Sequence, residues 1–202
     1  MTDPIEIRDA IIDTAVTLAA QKSWEAVRLY DVATALNLSL DQIRPYFHEK
    51  EDLVDAWFDR ADSAMLKQAE AAHFYELSVE QRIFQLIMGW LDALSSQRKV
   101  TRQMILGKLE FGHLHIQIPG IMRISRTVQW IREAAHRDAT SVQRALEESA
   151  LTTIYLMTFI YWMQDDSLGS TRTQQFLKQR LQQAFWVGEL FFAKHHTDSS
   201  RA

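Results

Sequence analysis

The sequence predicts an all-α protein, and three observations support that prediction. Apolar residues recur at helical spacing along almost the whole of the 202-residue chain. No segment shows the apolar–polar alternation of a half-buried strand, and no glycine precedes Gly89. Finally, Ser or Thr is followed three residues later by Gln at several places, which is the capping-box pattern of a helix start. Together these marks predict about nine helices.

The N-terminal helices are defined by local signals. Asp3 and Pro4 are typical of a helix start, so a first helix is expected over residues 4–21. Asn37 interrupts the next apolar stripe, and Asn tolerates the left-handed conformation of a tight turn better than most residues. The expected helices of this half cover residues 28–36, 40–46, 50–72 and 78–96, with capping boxes at Ser39/Gln42 and Ser78/Gln81.

The C-terminal half continues the same pattern. Pro119 is expected at the start of a helix, where its missing N–H group costs nothing. Capping boxes at Thr140/Gln143 and Thr171/Gln174 mark two further starts. The predicted helices are therefore 100–115, 119–137, 141–164 and 171–195.

Composition limits the classes of function. The chain has no cysteine, which excludes disulfides and thiolate metal sites and favours a cytoplasmic location. The longest nearly apolar run, Leu151 to Met163, is too short to span a bilayer, so no stable membrane insertion is expected. Net charge is −4 overall, yet residues 98–144 contain nine basic and three acidic residues. The N-terminal residues 1–50 contain eight acidic and five basic residues, so the most basic region is not the N-terminal one.

The segment from Val27 to Leu53 has the pattern of a helix-turn-helix. Two short apolar stripes flank the Asn37 turn, and a longer helix follows at Lys50. Residues 1–48 are therefore expected to form a helix-turn-helix head, and residues 49–202 a helical bundle. The positions that specify this motif are Asp31, Val32, Ala33, Leu38, Ser39, Ile43, Phe47, Lys50 and Leu53.

These residues and their spacing resemble the TetR family of bacterial transcriptional regulators. The resemblance implies a homodimer with a DNA-binding head and a bundle that binds a ligand and dimerises. Arg28, Arg44 and Lys50 would contact phosphates, and Gln42 could read adenine. The full set of expected DNA contacts is Arg28, Ser39, Leu40, Gln42, Arg44, Tyr46, His48 and Lys50.

Several outward positions depart from the family pattern. Arg28, Arg44 and Glu49 stand where the family usually has a hydroxyl residue, a tyrosine and a small capping residue. Leu40 and Asp41 occupy the start of the recognition helix, where the family usually has small or basic residues. A carboxylate there would face phosphates, although it also favours the positive end of its own helix dipole. Pro45 removes a backbone donor and is expected to end the helix early.

Large apolar side chains in the bundle suggest a ligand pocket and a dimer interface. A hydrophobic small molecule or lipid would suit a pocket lined by Trp90, Met104, Phe111, Met122, Trp130, Tyr155, Phe159 and Trp162. Plain core packing is the alternative for each of them. Aromatic residues lie around the last helix rather than on one stripe, which predicts a second buried surface; the expected interface residues are Phe185, Trp186 and Phe192.

The segment from Ile154 to Ala184 carries a second resemblance. Its Gln164-Asp165-Asp166-Ser167 run, followed by Thr173 and Phe176-Leu177, is similar to the TetR-fold lipid-binding protein of ubiquinone biosynthesis. That family holds isoprenoid lipids and has lost DNA binding. A structural alternative is an elbow between two helices, in which Asp166 or Ser167 ties down the turn and Thr171 caps the last helix.

No glycine-rich phosphate loop, metalloprotease motif or nucleophile elbow occurs, so no enzyme activity, cofactor or metal site is expected. The leading hypothesis is a TetR-type transcriptional regulator, such as a repressor, that binds operator DNA as a dimer and responds to a hydrophobic molecule. The alternative is a TetR-fold lipid- or isoprenoid-binding accessory protein that no longer binds DNA.

Overall fold

A computed structural model describes residues 4–108, 114–136 and 141–198, and within them it contains nine α-helices and no strand. The all-α prediction is therefore confirmed. The helices are α1 (Pro4–Lys22), α2 (Leu29–Ala35), α3 (Leu40–Ile43), α4 (Lys50–Gln68), α5 (Val79–Leu94), α6 (Arg98–Lys108), α7 (Leu114–Ala134), α8 (Ser141–Trp162) and α9 (Thr171–Asp198). Short 3₁₀ turns occupy Phe74–Glu76, Ser95–Gln97 and Leu168–Ser170. No helix of the described part is both long enough and apolar enough to cross a membrane.

Two helix boundaries near prolines differ from the sequence prediction. Helix α3 ends at Ile43 rather than at residue 46, since Pro45 has no N–H group with which to continue the ladder. The early end that Pro45 suggested is thus confirmed. Helix α7 begins at Leu114, so the predicted start at Pro119 was wrong. Pro119 instead lies in the second turn of the helix, where its nitrogen has no hydrogen to donate.

Two of the predicted capping boxes, at Ser39/Gln42 and Ser78/Gln81, are confirmed. Gln42 N donates to Ser39 Oγ at 3.2 Å, and Ser39 N donates to Gln42 Oε1 at 2.9 Å. Ser78 and Gln81 make the same pair of bonds at 3.2 and 2.9 Å. The Thr140/Gln143 box includes Thr140, which lies outside the described residues.

The helices group into two compact units. One unit combines residues 1–64 with 92–122, and the other combines 65–91 with 123–202. Each unit thus joins stretches that are distant in sequence, and α4, α5 and α7 contribute to both. The functional division at residue 48 stays a prediction.

In the first unit, charged and polar side chains fasten α1 and α6 to α4. Arg60 donates to the Asp9 carboxylate at 2.8 Å and also to Asp13. The buried Trp57 indole donates to Thr101 Oγ1 on α6 at 3.0 Å. The side chain of Gln103, also on α6, accepts the backbone N–H of Trp24 at 2.8 Å. Helix α6 therefore contributes directly to the packing of the N-terminal helices.

In the second unit, a buried carboxylate fixes the elbow between α8 and α9. Asp165 is 2% exposed and accepts hydrogen bonds from the backbone N and the hydroxyl of Ser167, at 2.9 and 2.6 Å. Its other oxygen accepts from the backbone N and the hydroxyl of Thr173, at 2.8 and 2.6 Å. Burial raises the pKa of Asp165, but these four bonds outweigh it and hold the pKa well below its usual value.

The elbow alternative is therefore confirmed for Ser167, whose hydroxyl donates to Asp165 and accepts from Arg172 N at 3.2 Å, but it was wrong for Asp166 and Thr171. Asp165, not the exposed Asp166, is the carboxylate that turns inward. Thr171 does not cap α9, because its φ and ψ of −58° and −34° are already helical. Gln174 donates its side-chain amide to Gly169 O at 2.9 Å instead. Gly169 itself has a φ of 63°, in the left-handed region that glycine adopts most readily.

Replacing Asp165 by Asn should destabilise the protein by about 3 kcal/mol at neutral pH, because a buried set of four donors loses its charged acceptor. Urea unfolding monitored by circular dichroism measures this. Asp166→Asn makes the same chemical change at the exposed neighbour and should shift the free energy of unfolding by less than about 0.5 kcal/mol.

The wild type and the Asp165→Asn variant also test how the stability depends on pH. Because the pKa of Asp165 is lowered in the folded state, its stabilisation is complete above the unfolded value of 3.8. It is then lost as the pH falls towards the folded-state pKa. The stability difference between wild type and D165N should therefore shrink below about pH 4. A difference that stays constant down to pH 2 would contradict the assignment.

Candidate functional site

The turn between α2 and α3 has the geometry expected for a helix-turn-helix. Asn37 has a φ of 54°, and Leu38 N closes the turn on Ala33 O at 2.9 Å. The inward side chains Val32, Ile43 and Phe47 are buried. These contacts fix which side of the short helix faces outward.

Arg28 and Arg44 are exposed at either end of this motif. Arg28 precedes α2, and its backbone N donates to the Asp31 carboxylate at 2.9 Å. Lys22 Nζ also donates to Asp31, at 2.7 Å. The Lys22 bond first, and the Arg28 backbone bond second, lower the pKa of Asp31. Asp31 thus stays charged, pairs with Lys22 and leaves the Arg28 guanidinium exposed.

The outward side of α3 is largely occupied by its own cap. Ser39 and Gln42 are both exposed, yet they exchange the two bonds of the capping box. The amide oxygen of Gln42 therefore already accepts a hydrogen bond, and only its NH₂ group is left to act on a base edge. Leu40 is half exposed and Asp41 is exposed beside it, in the first turn of the helix.

Lys50 faces the head rather than open solvent. Its Nζ donates to Glu25 O at 3.0 Å and lies 5.0 Å from the centre of the Trp24 ring. Partial burial lowers the pKa of Lys50. A phosphate contact by this residue would compete with both interactions.

Tyr46 and His48 follow α3. Tyr46 is half-buried and His48 is exposed. The backbone N–H groups of His48 and Glu49 both donate to Asp52 Oδ2, at 2.7 and 3.1 Å. Asp52 therefore caps α4 and fixes the chain that leads into it.

Four of the expected pocket residues meet in the second unit. Trp90 contacts Tyr155 and Phe159 edge-to-face, with ring centres 5.3 and 5.4 Å apart. Phe159 stacks on Trp162 at 5.9 Å. All four are buried.

The other expected pocket residues do not join this cluster. Met104 is buried in the first unit, and Trp130 is 46% exposed. Phe111 and the side chain of Met122 lie outside the described residues.

Helix α8 also carries an exposed apolar face. Met157, Ile160 and Tyr161 are 42%, 52% and 40% exposed, on the side away from Tyr155 and Phe159. Tyr161 stacks on Phe176 of α9 at 4.7 Å, and the Arg180 guanidinium covers that ring at 4.9 Å.

The predicted interface residues of α9 differ in exposure. Trp186 is 64% exposed, Phe185 is half-buried, and the side chain of Phe192 lies outside the described residues.

This exposed face of α8 was not predicted from the sequence. Its signal is that Ile160 and Tyr161 follow Met157 at spacings of three and four, so these apolar residues share a side of α8 that faces away from the buried stripe. Leu146, three helical turns earlier, lies on the same side. From Leu151 onwards α8 is almost continuously apolar, so a second apolar face does not stand out in the sequence.

Two kinds of similarity to known proteins accompany this geometry. The COQ9 family model matches residues 146–188, which cover most of α8, the elbow and part of α9. The crystal structure of the TetR transcriptional regulator from Nitrosomonas europaea ATCC 19718 is 64% identical, with a TM-score of 0.81 over 91% of this chain and 99% of that one. No curated protein matches this chain.

Two further solved structures share the fold at lower identity. A TetR transcriptional regulator from Rhodococcus sp. RHA1 is 15% identical, with a TM-score of 0.66 over 89% of this chain and 96% of that one. A bacterial regulatory protein in the tetR family from Rhodococcus RHA1 is 18% identical, with a TM-score of 0.50 over 90% and 97% of the two chains. All three similar structures are regulators.

The cap of α3 should be measurable as stability. Ser39→Ala removes the acceptor of the Gln42 N–H group and should lower the free energy of unfolding by about 1 kcal/mol in urea titrations. Ser63→Ala is the matched control, because Ser63 only donates to the Asp59 carbonyl within α4 and caps nothing. Equal losses in the two variants would show that the capping bond does not stabilise α3.

Proposed function

Because this chain belongs to the TetR family of transcriptional regulators, we propose that it binds operator DNA as a homodimer and responds to a hydrophobic ligand in its helical bundle. The observation that carries the DNA part is the helix-turn-helix with a fixed outward side. The inward residues of the motif are buried, and the exposed Arg28 and Arg44 lie at its two ends.

In this proposal, the two arginines supply phosphate contacts that position α3 in the major groove. Base contacts would come from the exposed side of α3, chiefly Leu40 and the NH₂ group of Gln42. Leu40 could pack on a thymine methyl group. Lys50 contributes less, because its Nζ is held by Glu25 O and the Trp24 ring.

The exposed face of α8, together with Trp186, is the proposed dimer interface. A two-fold axis would bring the same apolar residues of two copies against each other. The Asp165 elbow supports this role, since it fixes the direction in which α9 leaves α8. Burial of this face would also remove a large apolar surface from water.

The ligand part of the proposal is supported by the aromatic cluster around Trp90. Four large rings in one unit provide the apolar contacts that hydrophobic ligands require. A ligand that separates these rings would change the packing of α5 against α8.

A second candidate function is lipid binding without DNA binding, which the COQ9 match over residues 146–188 favours. The engagement of Gln42 and Lys50 inside the head also favours it. Native mass spectrometry of gently purified protein separates the two candidates. A co-purified isoprenoid or phospholipid, together with no DNA binding, would support the second candidate.

DNA binding should be sequence-preferring and sensitive to salt. Fluorescence anisotropy with the gene's own upstream region should show an affinity that falls steeply between low and high salt. Arg44→Gln should reduce the slope of log affinity against log salt by about two for a dimer, since each subunit loses one phosphate contact. Arg172→Gln, the same change at an exposed arginine of α9, should leave the slope unchanged. The absence of any preferred, salt-sensitive binding would overturn the regulator proposal.

Dimerisation is tested on the α8 face. Ile160→Glu places a charge on a half-exposed apolar residue, and the variant should sediment as a monomer at micromolar concentration. Leu40→Glu makes a comparable change at the exposed position of α3 and should remain dimeric. A dimer that survives Ile160→Glu would place the interface elsewhere.

A further inference from the structure

Arg132, close to the C-terminal end of α7, is a buried cation with few partners. The residue is 4% exposed. Within the described residues its one ionic contact is Glu148 on α8, where Nη1 and Oε2 lie 3.5 Å apart. Its buried Nε atom has no hydrogen-bond partner there. In the described part of the chain, a side chain with five N–H donors thus has one long contact, to the Glu148 carboxylate.

This arrangement is unfavourable for a purely structural residue. A guanidinium group that leaves water needs anionic or carbonyl oxygens in good geometry, and a single distant carboxylate supplies little. The partner Glu148 keeps about a third of its side chain exposed, so it can turn outward to solvent. Arg132 would then present its full planar fork to another oxyanion.

The ion pair lies at one end of the aromatic stripe of α8. Glu148, Tyr155, Phe159 and Trp162 follow at spacings of seven, four and three residues, which places them on the same face of the helix. Tyr155 lies about 10 Å further along the helix axis than Glu148. This face of α8 therefore has a charged N-terminal part at Glu148 and an apolar C-terminal part formed by the three aromatic residues. Both parts, and Arg132, belong to the same compact unit.

From these observations we propose that the α7–α8 face binds an anionic amphiphile, whose carboxylate or phosphate headgroup pairs with Arg132. Glu148 occupies the guanidinium until the ligand arrives and is displaced by it. The apolar body of the ligand lies along Tyr155 and Phe159. This inference rests on the proposed ligand response and specifies the chemical class of the ligand.

The displacement of Glu148 gives the site its selectivity. A neutral amphiphile gains the same apolar contacts, but it cannot replace the negative charge that Glu148 supplies to Arg132. Such a ligand leaves the ion pair in place. Anionic ligands exchange one ion pair for another and add a bidentate geometry that the 3.5 Å contact lacks.

The test is calorimetric titration of the full chain with dodecanoate, dodecyl phosphate and dodecanol. At least one of the two anions should bind about tenfold more tightly than the alcohol, because the headgroup adds charge-assisted hydrogen bonds. Arg132→Gln should remove that preference, while Glu148→Gln should strengthen binding of the anion several-fold. The relative affinities of dodecanoate and dodecyl phosphate identify which headgroup the site takes.

Two exposed residues of α7 provide matched controls. Arg126→Gln and Glu133→Gln make the same charge changes outside the proposed site and should leave the preference for anions unaltered. If Arg132→Gln does not fold, as judged by circular dichroism, the Glu148→Gln titration decides the question. Weaker or unchanged anion binding in Glu148→Gln would overturn the proposal, and so would equal binding of anions and alcohol by the wild type.

A DNA-binding measurement on the same proteins separates this proposal from the general one. Arg132→Gln should keep the salt-sensitive DNA binding of the wild type while it loses the preference for anions. Equal binding of all three amphiphiles, with DNA binding intact, would refute the headgroup site and leave the regulator standing.

Discussion

Asp165 imposes the most demanding constraint in the second unit. A buried carboxylate without donors is strongly unfavourable, and here every donor comes from the turn or from the first residues of α9. Those donors converge only if α8 ends where it does and α9 starts at Thr171. The elbow therefore has one conformation, and the exposed face of α8 keeps a fixed relation to the start of α9. The COQ9 match spans this same segment, which gives the similarity a structural basis independent of any lipid.

In the N-terminal head, polar side chains mainly form hydrogen bonds with the backbone of the head itself. Ser39 and Gln42 cap α3, Asp52 caps α4, and Lys50 fastens Glu25 and Trp24. Each of these uses a group that could otherwise face DNA. Arg28 and Arg44 are the exposed exceptions, so the electrostatic contribution of the head is concentrated on them. An acidic head can still approach phosphates if its few exposed cations are placed at the edges of the motif.

Local features were predictable from the sequence, and features that depend on tertiary packing were not. The Ser39 and Ser78 capping boxes are confirmed because both partners lie within one helical turn. Similarly, the positive φ of Asn37 follows from the residue type and its neighbours. In contrast, the choice between Asp165 and Asp166 depends on where α8 ends in three dimensions. The half-buried position of Lys50 depends on Trp24, which is twenty-six residues away. The sequence thus proposes the residues of the candidate site, but it does not predict the partners that hold Gln42 and Lys50 inside the head.

The shortness of α3 has a consequence for the information that this head could extract from an operator. Four helical residues advance by about 6 Å and successive base pairs are spaced at about 3.4 Å, so direct readout by α3 would span about two base pairs in each half-site. A DNA sequence of so few base pairs occurs by chance throughout any genome. A regulator with this head would have to gain the rest of its selectivity from groove width and the bending stiffness of the sequence between half-sites. Bases that the protein never touches would then constrain the operator as strongly as those it reads.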